Sequence, residues 1–201
     1  MSWIKTIKYK NAGERLKKIY NRVKGPNNNI DNVLMIHSLR PHTLVGHMHL
    51  YKNVLHNSNN TLPKWYLEAL GVYVSYLNKC EYCFEHHYAG FSRLYADDAK
   101  SAEFRQAVID DKMEGFFKGR NLAGCKHAKQ LTLSHHTILE KDIQELRYAG
   151  FSDGEILEIN QVTSYFNYVN RSVVGLGVST KGDILGLSPN NSKDSSNWNH
   201  N

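Results

Sequence analysis

The chain has 201 residues, enough for one domain with a sizeable core, and 41% of them are hydrophobic and 11% aromatic, as in ordinary globular proteins. No stretch stays apolar for the roughly 18 residues that a membrane span needs, and Lys5, Lys8 and Lys10 occupy the place of a signal peptide's apolar region, so a cytoplasmic protein with no membrane partner is expected. The net charge of +6 is concentrated between Lys5 and Lys24. No reading motif or stacking aromatics accompany that cluster, so it is expected to be a solvated basic face and not a nucleic-acid site.

Leu16, Ile19, Tyr20 and Val23 recur at helical spacing, and Gly25-Pro26-Asn27 closes that segment. A short helix is predicted from Asp31 to Leu39, ended by Arg40-Pro41, and a longer one from about Thr43 to Leu55. Pro63 opens the next, whose apolar positions Leu67, Leu70, Val74 and Leu77 repeat every three or four residues. A motif helix should run on to Tyr95, and Asp97-Asp98 marks a further start. Helices follow over 101–109, 126–132, 139–148 and 153–174, with Gly150 as a stop. The expected fold class is all-α.

The organisation read from this is a basic helical segment over 1–30, a helical domain over 31–187 and an Asn/Ser-rich tail over 188–201. Apart from Trp198 the tail has nothing to build a core with, and it is expected to be mobile or to dock on a neighbouring subunit. Ser75-Tyr76-Leu77-Asn78 is weakly echoed by Ser164-Tyr165-Phe166-Asn167, which puts Val169 and Ser172 where the first copy has Cys80 and Cys83.

Chemistry concentrates between Asn78 and His87, where Cys80-x-x-Cys83 is followed four residues later by His87. On a helix, spacings of i, i+3 and i, i+4 align all three side chains along one stripe. A thiol reacts as its thiolate, and a neighbouring imidazole can take its proton or stabilise the anion. A second cysteine can trap the oxidised first as a disulfide. The alternative is a zinc site on Cys80, Cys83 and His87, with a fourth ligand from His37, His42, His47, His49 or His86. Cys125 reads as a buried small hydrophobe, and His127, His135 and His136 read as surface residues.

Residues 32–95, with Ser38-Leu39-Arg40-Pro41-His42, the Glu68 helix and the cysteine motif, resemble the carboxymuconolactone decarboxylase-like family, in its alkylhydroperoxidase D-like (AhpD-like), peroxidase-related branch. Tyr165-Phe166-Asn167-Tyr168-Val169-Asn170-Arg171 with Gly175-Leu176-Gly177 extends the resemblance over most of the chain. The family pattern of Glu, eleven residues, Cys, two residues, Cys, three residues and His is met by Glu68, Cys80, Cys83 and His87. The resemblance implies an AhpD-like helical bundle that forms a homo-oligomer, whether dimer, trimer or hexamer, and needs no metal, haem or other cofactor. It also implies Cys83 as the attacking thiol, Cys80 as the resolving cysteine, and His87 with Glu68 as a proton relay. The activity implied is thiol-dependent reduction of a small-molecule peroxide, with an external dithiol or protein reductant reopening the disulfide.

The sequence departs from that pattern at Tyr82, where the best-characterised alkylhydroperoxidases carry a second histidine. Tyrosine titrates near pH ~10 and is a poor neutral-pH base, which leaves His86 as the residue that could compensate. A general thiol-disulfide oxidoreductase and a lactone decarboxylase-type lyase are the alternative enzyme readings, and a purely structural or binding protein is the remaining one.

Overall fold

In the computed structural model, which describes residues 1–187 and Trp198, the described residues form nine α-helices and no strand. Helix α1 (Glu14–Val23) buries Leu16, Ile19, Tyr20 and Val23, the four positions its spacing singled out. Helix α2 (Asn32–Met35) is shorter than predicted, because turns occupy residues 36–40 before Pro41 begins α3 (Pro41–Leu55). Proline at the first helical position lacks only an N–H that would have no helical partner there.

Helix α4 (Lys64–Leu77) is the central element. Every residue from Tyr66 to Ser75 is buried, as expected of a helix covered on all sides. It packs against α3, against α5 (Glu81–Tyr95) and α6 (Asp98–Ile109), and against α7 (Gly119–Leu133) and α9 (Asp153–Gly175). Helix α8 (Glu140–Tyr148) lies against α7 and α9. Helix α7 begins seven residues before its predicted start at Lys126, since its first two turns mix glycine and polar residues without an apolar repeat.

Four helices end in the same way. A residue with positive φ, namely Lys79 (55°), Asp111 (54°), Gly150 (95°) or Gly177 (60°), follows the last turn of α4, α6, α8 or α9. The next amide then reaches back, as in Cys80 N–H to the Ser75 carbonyl (2.9 Å) and Phe151 N–H to the Leu146 carbonyl (3.1 Å). This paired hydrogen-bond stop satisfies carbonyls that the helix would otherwise leave open. Gly150 was foreseen as a stop, and Lys79 and Asp111 were not, because glycine adopts this conformation freely and lysine and aspartate do not.

The echoed segments meet across the α4–α9 contact. Asn78 Nδ2 donates to Asn167 Oδ1 (3.1 Å) and Asn170 Oδ1 (3.0 Å), and Asn170 Nδ2 donates to Ser75 Oγ (3.1 Å). Gly71 allows that close approach, since a Cβ there would come within 2.2 Å of the Phe166 ring. The predicted tail lies outside the described residues except for Trp198, which is buried with the Arg22 guanidinium 3.6 Å from its ring and the edge of His49 against it.

Candidate active site

The stop at Lys79 decides how the two cysteines are presented. Cys80 caps α5 with non-helical backbone and Cys83 lies in its first turn, so the pair is not a stripe on one continuous helix as the sequence suggested. Helices α4 and α5 form an antiparallel hairpin, which brings Glu68 opposite His87. His87 Nδ1 and Glu68 Oε2 are 2.7 Å apart, with the carboxylate side chain only 1% exposed. With Nδ1 held by the carboxylate, Nε2 is the nitrogen left to exchange a proton.

The other oxygen of Glu68 has a neighbour that the sequence did not mark. His56 Nε2 lies 3.7 Å from Glu68 Oε1, and its ring meets Tyr51 edge-on at 4.7 Å. Buried Lys52 is nearby, its ammonium pushed down to about 8 by burial and by Lys64, partly offset by the Glu68 carboxylate. On the far side of His87, the Phe166 ring packs perpendicular to it at 4.6 Å.

Both thiols are free and buried. Burial, followed by the Cys80 sulfur as hydrogen-bond partner and negative neighbour, raises the Cys83 thiol well above its ordinary value. Hydrogen bonding with Cys83 pulls Cys80 below its ordinary value, against the opposing effect of burial. The two shifts run in opposite directions within the pair. Asn170, on α9, lowers both values. Asn170 lies within the run that carried the family resemblance, and nothing in its local sequence indicated contact with the thiols.

Tyr82 and His86 form a second cluster around Asp183, which comes from the segment after α9. The Tyr82 hydroxyl donates to Asp183 Oδ2 at 2.6 Å and accepts from the Val33 N–H at 3.1 Å. Burial, then the charges of Asp183 and Asp31, drive its phenol well above the ordinary value, so Tyr82 is held as a donor. His86 Nε2 lies 3.3 Å from the same Asp183 oxygen, and its ring leans on Tyr82 at 4.5 Å. His86 and His87 thus address different carboxylates, in keeping with the roughly 100° between successive residues on a helix.

The two cysteines border different openings. Cys83, Tyr82, His86 and His87 line a narrow chamber of about 50 Å³, completed by His47, Tyr51 and Tyr165 among others. Cys80 borders an open apolar groove of about 650 Å³ walled by Tyr76, Leu77, Phe84, Ile109 and Leu133. Of the histidines weighed as a fourth zinc ligand, His47 is buried at the chamber, while His42 and His49 are exposed on α3. Among the described residues, no group of three or more His, Cys, Asp or Glu side chains is arranged to hold a metal ion, and no helix is long and apolar enough to cross a membrane.

Cys125 is fully buried, as its sequence setting suggested, and His135 and His136 are exposed. His127 departs from expectation. It is 4% exposed, because α7 turns it inward, and burial lowers its imidazole below the ordinary value.

No protein-family model and no curated protein matches the chain. Solved structures do. An uncharacterised peroxidase-related protein from Ralstonia eutropha JMP134, described as an alkylhydroperoxidase AhpD core, superposes with a TM-score of 0.79 at 19% identity over 94% of this chain and 98% of its own. A peroxidase-related protein from Silicibacter sp. TM1040 gives 0.77 at 22% identity, covering 89% of this chain and 91% of that one. The debrominase Bmp8 gives 0.65 at 15% identity, covering 83% and 86%. With nearly the whole chain aligned on such structures, this all-helical protein has the fold of the alkylhydroperoxidase AhpD core.

Proposed function

We propose that the protein is a thiol-dependent peroxidase that reduces hydroperoxides through Cys83 and Cys80. The observation that carries this reading is the division of the pair between two openings, Cys83 in a narrow chamber with the Glu68-held His87 and Cys80 at an open groove. An oxidisable centre needs a sheltered site with a proton donor, and a resolving thiol needs access to a reductant. The names of the AhpD-core and peroxidase-related structures support the same reading.

In this mechanism His87 takes the Cys83 proton, and the thiolate attacks the terminal oxygen of the hydroperoxide. The O–O bond breaks, its electron pair leaves on the alkoxide, and protonated His87 supplies the proton that makes it an alcohol. Cys83 is left as the sulfenic acid. The Cys80 sulfur then attacks Cys83 Sγ and releases water, closing a disulfide. An external dithiol reduces that disulfide, so no bound cofactor is required. Glu68 stabilises the imidazolium formed between the two proton transfers.

Incubating reduced protein with an organic hydroperoxide and a dithiol, and following peroxide loss for wild type and Cys83→Ser, tests the assignment. Loss of turnover in the variant is expected, together with a Cys80–Cys83 disulfide in the oxidised wild type by mass spectrometry. Equal rates would remove Cys83 as the nucleophile. Disulfide exchange without peroxide consumption by wild type would leave the protein a general thiol-disulfide oxidoreductase.

A further inference from the structure

We infer that the segment 182–187, latched by Asp183, is a size filter over the Cys83 chamber that admits hydrogen peroxide and other small hydroperoxides and excludes those carrying an aromatic or branched body; the substrate class rests on the peroxidase reading. The roof of the chamber is Gly186 and Leu187, which join Cys83, His86 and His87 in lining it. A volume of about 50 Å³ takes only a few water-sized groups, since one water needs roughly 10–15 Å³ by a comparable measure. A peroxide's two oxygens fit that space, and a phenyl ring does not.

The latch is specific. The Asp183 side chain is 1% exposed although its neighbours Ile184 and Leu185 lie 40% and 43% exposed, so it turns inward where they do not. Its carboxylate accepts the Asn32 N–H at 3.0 Å and the Tyr82 hydroxyl at 2.6 Å, with His86 Nε2 at 3.3 Å. Asn32 returns the contact, its side-chain amide donating to the Ser179 and Lys181 carbonyls at 2.9 and 3.1 Å. Tyr82 and His86 also line the chamber, so the groups that hold the roof are themselves chamber walls.

Two glycines shape the strap. Gly182 and Gly186 carry φ of 93° and 75°, values open to glycine, and they bracket Asp183 and the two exposed apolar residues. A Cβ on Gly186 would sit 3.1 Å from Ala89 Cβ, so the chain is pressed directly onto α5 one turn beyond His86. Opening the roof requires the Asp183 contacts to break together. Asp183 is therefore a specificity-determining position that acts through the strap and not on the reacting atoms.

The test compares wild type with Asp183→Ala, which frees the latch, and Leu187→Ala, which shortens the roof without touching the latch. One readout is kcat/KM for cumene hydroperoxide relative to hydrogen peroxide. The second is Cys83 labelling, by mass spectrometry, with bulky N-phenylmaleimide relative to small methyl methanethiosulfonate. Both ratios should rise roughly tenfold in both variants, the scale on which a pocket separates substrates by size. Unchanged ratios in both variants, or a wild type that already accepts large and small reagents equally, would overturn the filter. A rise in Leu187→Ala alone would overturn the latch. If wild type consumes neither peroxide, the peroxidase reading fails while the labelling ratios still decide whether the strap filters by size.

Discussion

Glu68 and His87 stand nineteen residues apart in the chain and 2.7 Å apart across the α4–α5 hairpin, a pairing that fixes which imidazole nitrogen faces the chamber. Glu68→Gln keeps the shape but removes the charge that stabilises an imidazolium. On the proposed mechanism, peroxide turnover should fall by about 10²-fold, the lower end of what positioned acid–base catalysis contributes. Steady-state assays with saturating dithiol measure this, and a rate within twofold of wild type would contradict the relay.

Gly71 should be intolerant of even one methyl group. The Phe166 ring, which would lie 2.2 Å from the added Cβ, also packs edge-on against His87 at 4.6 Å. Gly71→Ala therefore forces the ring toward the histidine. Overpacking of this kind costs about 1–3 kcal/mol, visible as a lower denaturant midpoint, and turnover should fall as well because His87 loses its position.

Lys79 should be improved by glycine. It holds φ at 55°, where an L-side chain costs about 1–2 kcal/mol and glycine pays no steric penalty. Lys79→Gly is expected to raise stability by about 1 kcal/mol in chemical unfolding, after the greater freedom of glycine in the unfolded chain is offset. Lys79→Ala should bring no such gain.

Cys125 should make the fold sensitive to alkali. Burial pushes its thiol up to about 12 from an ordinary 9.0. Between those values the unfolded chain releases a proton that the folded chain keeps, so this contribution is complete below pH 9 and declines as pH rises toward 12. Unfolding at pH ~8 and ~10 should show Cys125→Ala losing less stability over that interval than wild type, by about 1 kcal/mol. Parallel losses would contradict the shift.

Much of the helical frame was legible because burial on one face leaves a period in the sequence. Leu16, Ile19, Tyr20 and Val23 show it, and Asp97 and Gly150 mark a start and a stop by their own chemistry. The four spaced residues Glu68, Cys80, Cys83 and His87 were legible as a pattern, and the Glu68–His87 pairing follows from their hairpin. The turn at Lys79 was not, because a lysine carries no sign of a left-handed conformation that tertiary packing imposes on it. His56, Asn170 and Asp183 were equally silent. Each reaches the site from a distant element, and polar residues that meet only after folding leave no period behind.

The different openings that Cys83 and Cys80 border bear on how the two substrates compete. On the peroxidase reading, the oxidant enters through the chamber and the reductant through the groove, so neither occupies the other's entrance. Excess dithiol should then leave kcat/KM for peroxide unchanged, and double-reciprocal initial-rate plots at several fixed dithiol concentrations should be parallel lines, without the curvature that shared occupancy of one pocket produces.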